Sequence, residues 1–217
     1  MHASIVLLPL LSACAMVPDT IRGNGTPMTQ SRDVSGFKSV EVDGAIAAEI
    51  ATGAPWKVDV SADSNLIDRV KTEIRGETLV IRPEGNFSAK TQMVVRIAMP
   101  HINAIQVTGA SRAMINGFMG RRLEVHASGA SEVKAIGAVA EIVAELSGAS
   151  VLDARAVGSS TVSITARGAS HAVAKAESSI SAVASGASSI TVDGGGKVAK
   201  HEASGASSIT LNGAKLD

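Results

Sequence analysis

Two kinds of position alternate along the second half of the chain. Counted from the Gly of a recurring Gly-Ala-Ser triplet, positions −4, −2, +4 and +6 make 24 sites, all aliphatic except His201. Positions −3, −1, +3 and +5 make another 24, of which 20 are polar or charged. Around Gly129 the first set is Val125, Ala127, Val133 and Ala135, and the second is His126, Ser128, Glu132 and Lys134. A period of two predicts strands with one buried face and excludes helix, whose period is 3.6.

The triplets are Gly109-Ala110-Ser111, Gly129-Ala130-Ser131, Gly148-Ala149-Ser150, Gly168-Ala169-Ser170, Gly186-Ala187-Ser188 and Gly205-Ala206-Ser207, at gaps of 20, 19, 20, 18 and 19 residues. A second small-residue column stands at +8: Gly117, Gly137, Ala156, Ala176, Gly194 and Gly213. One unit of this size cannot close a core alone, so successive units must stack. As one coil per unit, equivalent residues lie about 4.8 Å apart and each backbone amide meets the next coil. The pattern therefore predicts an all-β parallel β-helix with 19–20 residues per coil. The triplet Ser falls on the inward parity, where a file of hydroxyls bonded between coils can tolerate burial. These serines are read as structural.

The stretch from Ser31 to about Pro100 lacks the triplet but stays strand-rich, with candidates at Val40 to Ile50, Trp56 to Ser61, Thr78 to Ile81 and Gln92 to Ala98. Leu66, Ile67, Val70 and Ile74 share a helical face, which predicts one short helix within Asn65 to Ile74. A solenoid needs an end cap, and residues 31–100 are expected to supply the N-terminal one, with 101–217 forming the repeat coils of a single domain, 31–217. Only Leu211 to Asp217 remain to cover the other end, which makes self-association through that edge an expectation. Residues 15–30, with Pro18, Gly23, Gly25 and Pro27, read as a flexible tether. Before them, Ala3 to Leu11 is apolar but too short to span a bilayer, and Leu11-Ser12-Ala13-Cys14 resembles a bacterial lipobox. Residues 1–14 are thus expected to be a lipoprotein signal peptide with Cys14 as the lipidated residue. Met1-His2 supplies none of the usual basic charge, a departure from the pattern. Ala15 stands where an Asp would mark inner-membrane retention, so the expected place is the outer membrane of the cell envelope.

A further resemblance rests on Ser35-Gly36-Phe37-Lys38-Ser39-Val40-Glu41-Val42, then Gly44-Ala45-Ile46, Val58-Asp59-Val60, Asn65-Leu66-Ile67 and Leu79-Val80-Ile81. In order and spacing this run, with the later triplets, resembles the putative auto-transporter adhesin head (GIN) domain, over roughly Arg32 to Asn212. The resemblance implies a right-handed β-helix in exported bacterial proteins, often lipoproteins. It brings no catalytic residues.

Composition narrows the function classes. The formal net charge is zero, with 20 basic and 20 acidic residues, so the electrostatic footprint of a nucleic-acid binder is missing. Aromatic residues are 2% of the chain, few for sugar-stacking platforms. The histidines His2, His101, His126, His171 and His201 fall in different columns, which argues against a shared metal site. His201 is inward by parity and is expected to hydrogen-bond a Ser or backbone group. The outward acids Glu132, Glu145, Asp153 and Glu202 also scatter; Glu145 and Glu202 share a column but lie three coils apart, about 14 Å by stacking distance, too far for paired-carboxylate glycoside chemistry. Neither a cofactor nor a catalytic residue is expected. The expected function is a non-enzymatic adhesion, scaffold or envelope-binding module, with a glycan or envelope protein as partner and the membrane held through the lipid anchor. The alternative is a carbohydrate-active enzyme, a lyase or hydrolase, on the same scaffold.

Overall fold

The computed structural model describes residues 20–215, which form a parallel β-solenoid. Two ladders of strands run along it, one on each side of the triplet corner. The leading ladder begins with Val70–Arg75, antiparallel to Thr78–Pro83, and continues in parallel through Ser39–Val42 and Ala104–Val107. It then passes through the later halves of Arg112–Ala127, Glu132–Leu146 and Val151–Ala166 to Ser179–Ala184 and Lys197–Ala203. The trailing ladder begins with Pro27–Arg32 and Lys57–Asp63, both antiparallel, then Val94–Met99 and Ala47–Thr52. It continues through the first halves of the three long strands to His171–Lys175, Ser189–Asp193 and Ser208–Asn212.

The triplet corners form one row. The N–H of Ala130 donates to Gly109 O at 2.8 Å, Ala149 to Gly129 and Ala169 to Gly148 at 2.7 Å, Ala187 to Gly168 at 2.7 Å, and Ala206 to Gly186 at 2.8 Å. The row has a seventh member that the triplet alone does not announce. Ala110 N–H donates to Gly44 O at 2.7 Å, so Gly44-Ala45-Ile46 occupies the same corner one coil below Gly109. Its flanks obey the template: Val40, Val42, Ala48 and Ile50 are all buried. The coil 39–52 is therefore a full turn of the solenoid, and it sits between the coil of Thr78–Pro83 and Val94–Met99 and the coil beginning at Ala104. The chain completes that turn, doubles back through antiparallel strands to build the turn beneath it, and then rejoins the stack above. Residues 31–100 are thus both cap and core coil.

Two segments differ from the sequence-based expectation. The short helix within Asn65 to Ile74 is a single 3₁₀ turn, Ile67–Arg69, followed by the strand Val70–Arg75. Leu66, Ile67 and Val70 are buried as a helical face would require, but Ile74 is 38% exposed. Gly76-Glu77 closes a two-residue hairpin loop with positive φ at Gly76, the pattern of a Gly-first primed turn, and that local pairing outcompetes helix. Residues 20–30, expected to be part of a flexible tether, are instead held in the fold. Ile21–Arg22 pairs with Phe87–Ser88, and Pro27–Arg32 pairs with Lys57–Asp63.

A buried carboxylate holds that segment down. Asp63 is fully buried. It accepts the N–H of Gly25 at 2.9 Å, of Lys90 at 2.7 Å and of Thr91 at 3.3 Å, and the Thr91 hydroxyl at 3.1 Å. Asn24 N–H donates to Asn65 Oδ1 at 3.0 Å, and Asn65 Nδ2 returns a bond to Arg22 O at 2.9 Å. Three segments distant in sequence thus meet at one acid. Gly23 is required by space alone, since a Cβ there would stand 2.0 Å from Asp63 Oδ2.

The core is thin and aliphatic. Ser111, Ser131, Ser150, Ser170 and Ser188 are buried beside it. Four of these hydroxyls bond to backbone groups rather than to one another: Ser150 Oγ donates to Ala127 O at 3.1 Å and Ser188 Oγ lies 3.0 Å from Ala166 O, both in the preceding coil, Ser170 Oγ donates to Arg167 O at 2.9 Å, and Ser111 Oγ accepts the Ile46 N–H at 3.3 Å. Ser131 Oγ has no hydrogen-bond partner among the described residues.

Candidate binding surface

The side chains singled out from the sequence separate into three places. The triplets form the corner row, their Gly and Ala exposed and their serines turned inward, buried in the first five and half-buried at Ser207. Cys14, the apolar stretch before it and His2 lie outside the described residues. The remaining histidines and acids lie on the surface, and the register places each of them.

The −3 and −1 columns of the leading ladder form a shallow depression of about 270 Å³. Gln106, His126 and Glu145 come from the −3 column, and Thr108, Ser128, Ser147 and Arg167 from the −1 column. The strand alternation that buries Ile105, Val107, Val125 and Ala127 forces these residues outward. His126 Nδ1 stands 3.6 Å from Glu145 Oε2, and both side chains are about half exposed. The arrangement offers hydroxyls at a regular coil spacing with one carboxylate, one imidazole and one guanidinium. It can hydrogen-bond an extended polar partner along the rod axis.

A second, larger groove of about 610 Å³ lies where the chain returns between +8 corner and leading strand. His101, Asn103 and Ser39 form one wall and Met119, Arg121, Arg122 and Glu124 the other. Arg122 contacts Glu124 at 2.7 Å and Glu141 at 3.4 Å. These two carboxylates share one cation.

The other outward acids are each paired: Glu132 with Arg112 at 3.1 Å, Asp153 with Arg155 at 3.0 Å and Glu202 with Lys200 at 3.2 Å. Glu145 and Glu202 are separated by Thr165 and Val183 in the ladder, three coil steps as the sequence implies. On the trailing face, the Lys57 ammonium at 2.7 Å and the Ser31 hydroxyl hold the Asp59 carboxyl below its ordinary range. No group of three or more His, Cys, Asp or Glu side chains fit to hold a metal occurs among the described residues.

His201 departs from its expected role. It pairs in register with the inward Ala182, yet it is exposed and its ring makes no hydrogen bond among the described residues. Among the described residues no strand pairs with it on the far side from Ala182, and its side chain is exposed. His201, Ile209, Leu211 and Ala214 line an open end of about 360 Å³. Two features escaped the sequence reading: the Asp63 clasp, and the large groove. The first had a signal in the turn-forming residues Asn24-Gly25 and Asp63-Ser64-Asn65. The second arises from a register shift between Asn116 and Phe118 that turns Phe118 into the core and Met119 out.

These features define a class: a parallel β-solenoid that carries polar side-chain ladders on its outer faces. The chain belongs to the family described as putative auto-transporter adhesin, head GIN domain, whose model matches residues 36–196. Solved structures share the fold. A putative adhesin from Bacteroides fragilis has a TM-score of 0.71 at 16% identity, over 88% of this chain and 99% of that one. A putative adhesin from Parabacteroides distasonis has a TM-score of 0.56 at 17% identity, over 89% and 100%. A putative lipid binding protein from Parabacteroides distasonis has a TM-score of 0.54 at 17% identity, over 89% and 99%. A search of curated proteins found no match.

Proposed function

We propose that this chain is an exported, lipid-anchored envelope protein that works as a binding module rather than an enzyme, with the −3/−1 ladder of the leading face as its contact surface. The observation that carries the reading is the row Thr108, Ser128, Ser147 and Arg167 beside Gln106, His126 and Glu145. Regular coil spacing suits a repetitive or extended partner, a glycan or an envelope protein. The adhesin family points the same way, as do the neighbours named adhesins. Cys14 would carry the lipid, and the outer membrane is the proposed location.

The full chain, purified in mild detergent, is expected to bind an envelope glycan or protein fraction. Ser128→Glu with Ser147→Glu should weaken that binding at least tenfold while leaving the melting temperature near that of the wild type. No binding by the wild type, or equal binding by the double variant, would overturn the assignment of this face. Labelling with radioactive palmitate should mark the wild type and spare Cys14→Ala; equal labelling would remove the anchor from the account.

The open C-terminal end supports self-association with a second copy. Among the described residues Ser208–Asn212 and, beyond the Lys215 bridge at Lys197, the rest of Lys197–Ala203 present an outer edge, and Ile209 and Leu211 are only half-buried where their counterparts Ile190 and Val192 are fully buried. Such edges invite pairing. Sedimentation in detergent is expected to show a concentration-dependent dimer that Ile209→Lys abolishes. A monomer at all concentrations would refute this part.

A further inference from the structure

We propose that the groove beside Arg121 is a binding site for a carboxylate-bearing saccharide, separate from the hydroxyl ladder and independent of whether that ladder binds anything. The argument starts from an extra residue. Opposite Asn116 to Phe118 the next coil advances only from Ile136 to Gly137, and the register slips at this corner. Phe118 turns inward and is fully buried, while Met119 is left 76% exposed. Above this knuckle the next coil is small: Ala138 stands opposite Met119 and Val139 opposite Gly120. The result is the 610 Å³ groove, lined by Arg121, whose place in the next coil is taken by the small Ala140.

Charge selects the ligand. The Arg122 guanidinium is neutralised by Glu124 and Glu141. That of Arg121 has no ion-pair or hydrogen-bond partner among the described residues. The groove therefore offers one guanidinium with no carboxylate partner, in a planar fork that matches a carboxylate bidentately. A dianionic phosphate would meet only that one free cation and would face Glu124 on the wall. The remaining lining suits a hydroxylated body: Ser39 and Asn103 can exchange hydrogen bonds with sugar hydroxyls, and Met119 gives a soft apolar contact for the C–H face of a ring. A single carboxylate on an otherwise neutral polyol, as in a uronic acid, fits all three features.

The test uses the full chain in non-ionic detergent and calorimetric titration with four probes: tetragalacturonate, its fully methyl-esterified form, inorganic phosphate and maltotetraose. Tetragalacturonate is expected to bind, with at least tenfold weaker binding for the ester and for maltotetraose and no competition from equimolar phosphate. Arg121→Gln should lose at least tenfold for tetragalacturonate with an unchanged thermal melt, Arg121→Lys should fall between, and Ser128→Glu with Ser147→Glu should bind as wild type. The proposal is overturned by no binding of tetragalacturonate at millimolar concentration, by equal binding of acid and ester, by competition from phosphate, or by retention of binding in Arg121→Gln. Loss in the Ser128/Ser147 variant with retention in Arg121→Gln would place acidic sugars on the ladder and refute this site alone.

Discussion

Replacing Gly129 by Val is expected to destabilise the protein by more than about 4 kcal/mol, well beyond the usual ~0.5–3 kcal/mol of single substitutions. Two costs add. Gly129 has φ +77°, a conformation that strains an L-residue by about 1–3 kcal/mol. A Cβ there would also stand 2.6 Å from Gly109 O in the adjoining coil, and that contact is backbone, which cannot move without opening the ladder bond from Ala130 N–H. Two controls separate the terms. Gly36 has φ +82° but nothing within 4 Å, so Gly36→Ala should cost only the backbone strain, about 1–2 kcal/mol. Gly195 is free of both constraints, so Gly195→Ala should stay within about 0.5 kcal/mol of wild type. Denaturant unfolding of the three variants checks the order; equal effects at Gly129 and Gly36 would show that inter-coil contact does not matter.

The second large effect lies at the N-terminal clasp. Burial alone would raise the Asp63 pKa, but the N–H groups of Lys90 and Thr91, the Thr91 hydroxyl and the N–H of Gly25 together outweigh it and hold the acid below its ordinary value. A carboxylate whose folded pKa is depressed stabilises the fold fully above its unfolded value, near 3.9, and loses that contribution as pH falls through the lower folded value. The melting temperature should therefore drop as pH is lowered below about 4. Asp63→Asn should melt well below wild type at pH 7 and show a flatter acid limb. Asp59 acts with the same sign through Lys57 and Ser31, but the Lys57 partner is 67% exposed, so salt should screen its share and leave that of Asp63. Melting curves from pH 2 to 7 at low and high salt give the comparison. An Asp63→Asn limb parallel to wild type would contradict the clasp.

The parts of this fold legible in sequence are those where one local rule repeats. Period-two alternation with a Gly at every corner fixes strand, face and stacking partner together, because neighbouring coils are only 18 to 20 residues apart. The seventh corner was written in the same code, with Val40, Val42, Ala48 and Ile50 around Gly44, but Ile46 in place of Ser hid it. Its position in the stack could not be read, since the pairing of Gly44 with Ala110 spans a doubling-back of the chain that no local pattern encodes. The same reason hid the Asp63 clasp, whose donors at Gly25, Lys90 and Thr91 are strangers in sequence. At Asn65 to Ile74 a helical spacing of four apolar residues competed with a Gly-first hairpin, and pairing with Thr78–Pro83 decided it. The Arg121 groove depends on a one-residue slip within a repeat, which spacing alone registers as a 20-residue unit but does not locate.

The stacking order can be measured directly by electron–electron distances between spin labels in the −3 column. One label at Glu202 would be paired in turn with Glu145, Gln106 and Glu41, which lie three, five and six coils away. At about 4.8 Å per coil the expected backbone separations are roughly 14, 24 and 29 Å. Equal steps with Glu41 a single coil beyond Gln106 are the predicted result. Were Glu41 at about 34 Å or more, with the coil of Thr78–Pro83 lying between it and Gln106, or were the three distances unrelated to coil number, the solenoid as described here would be wrong.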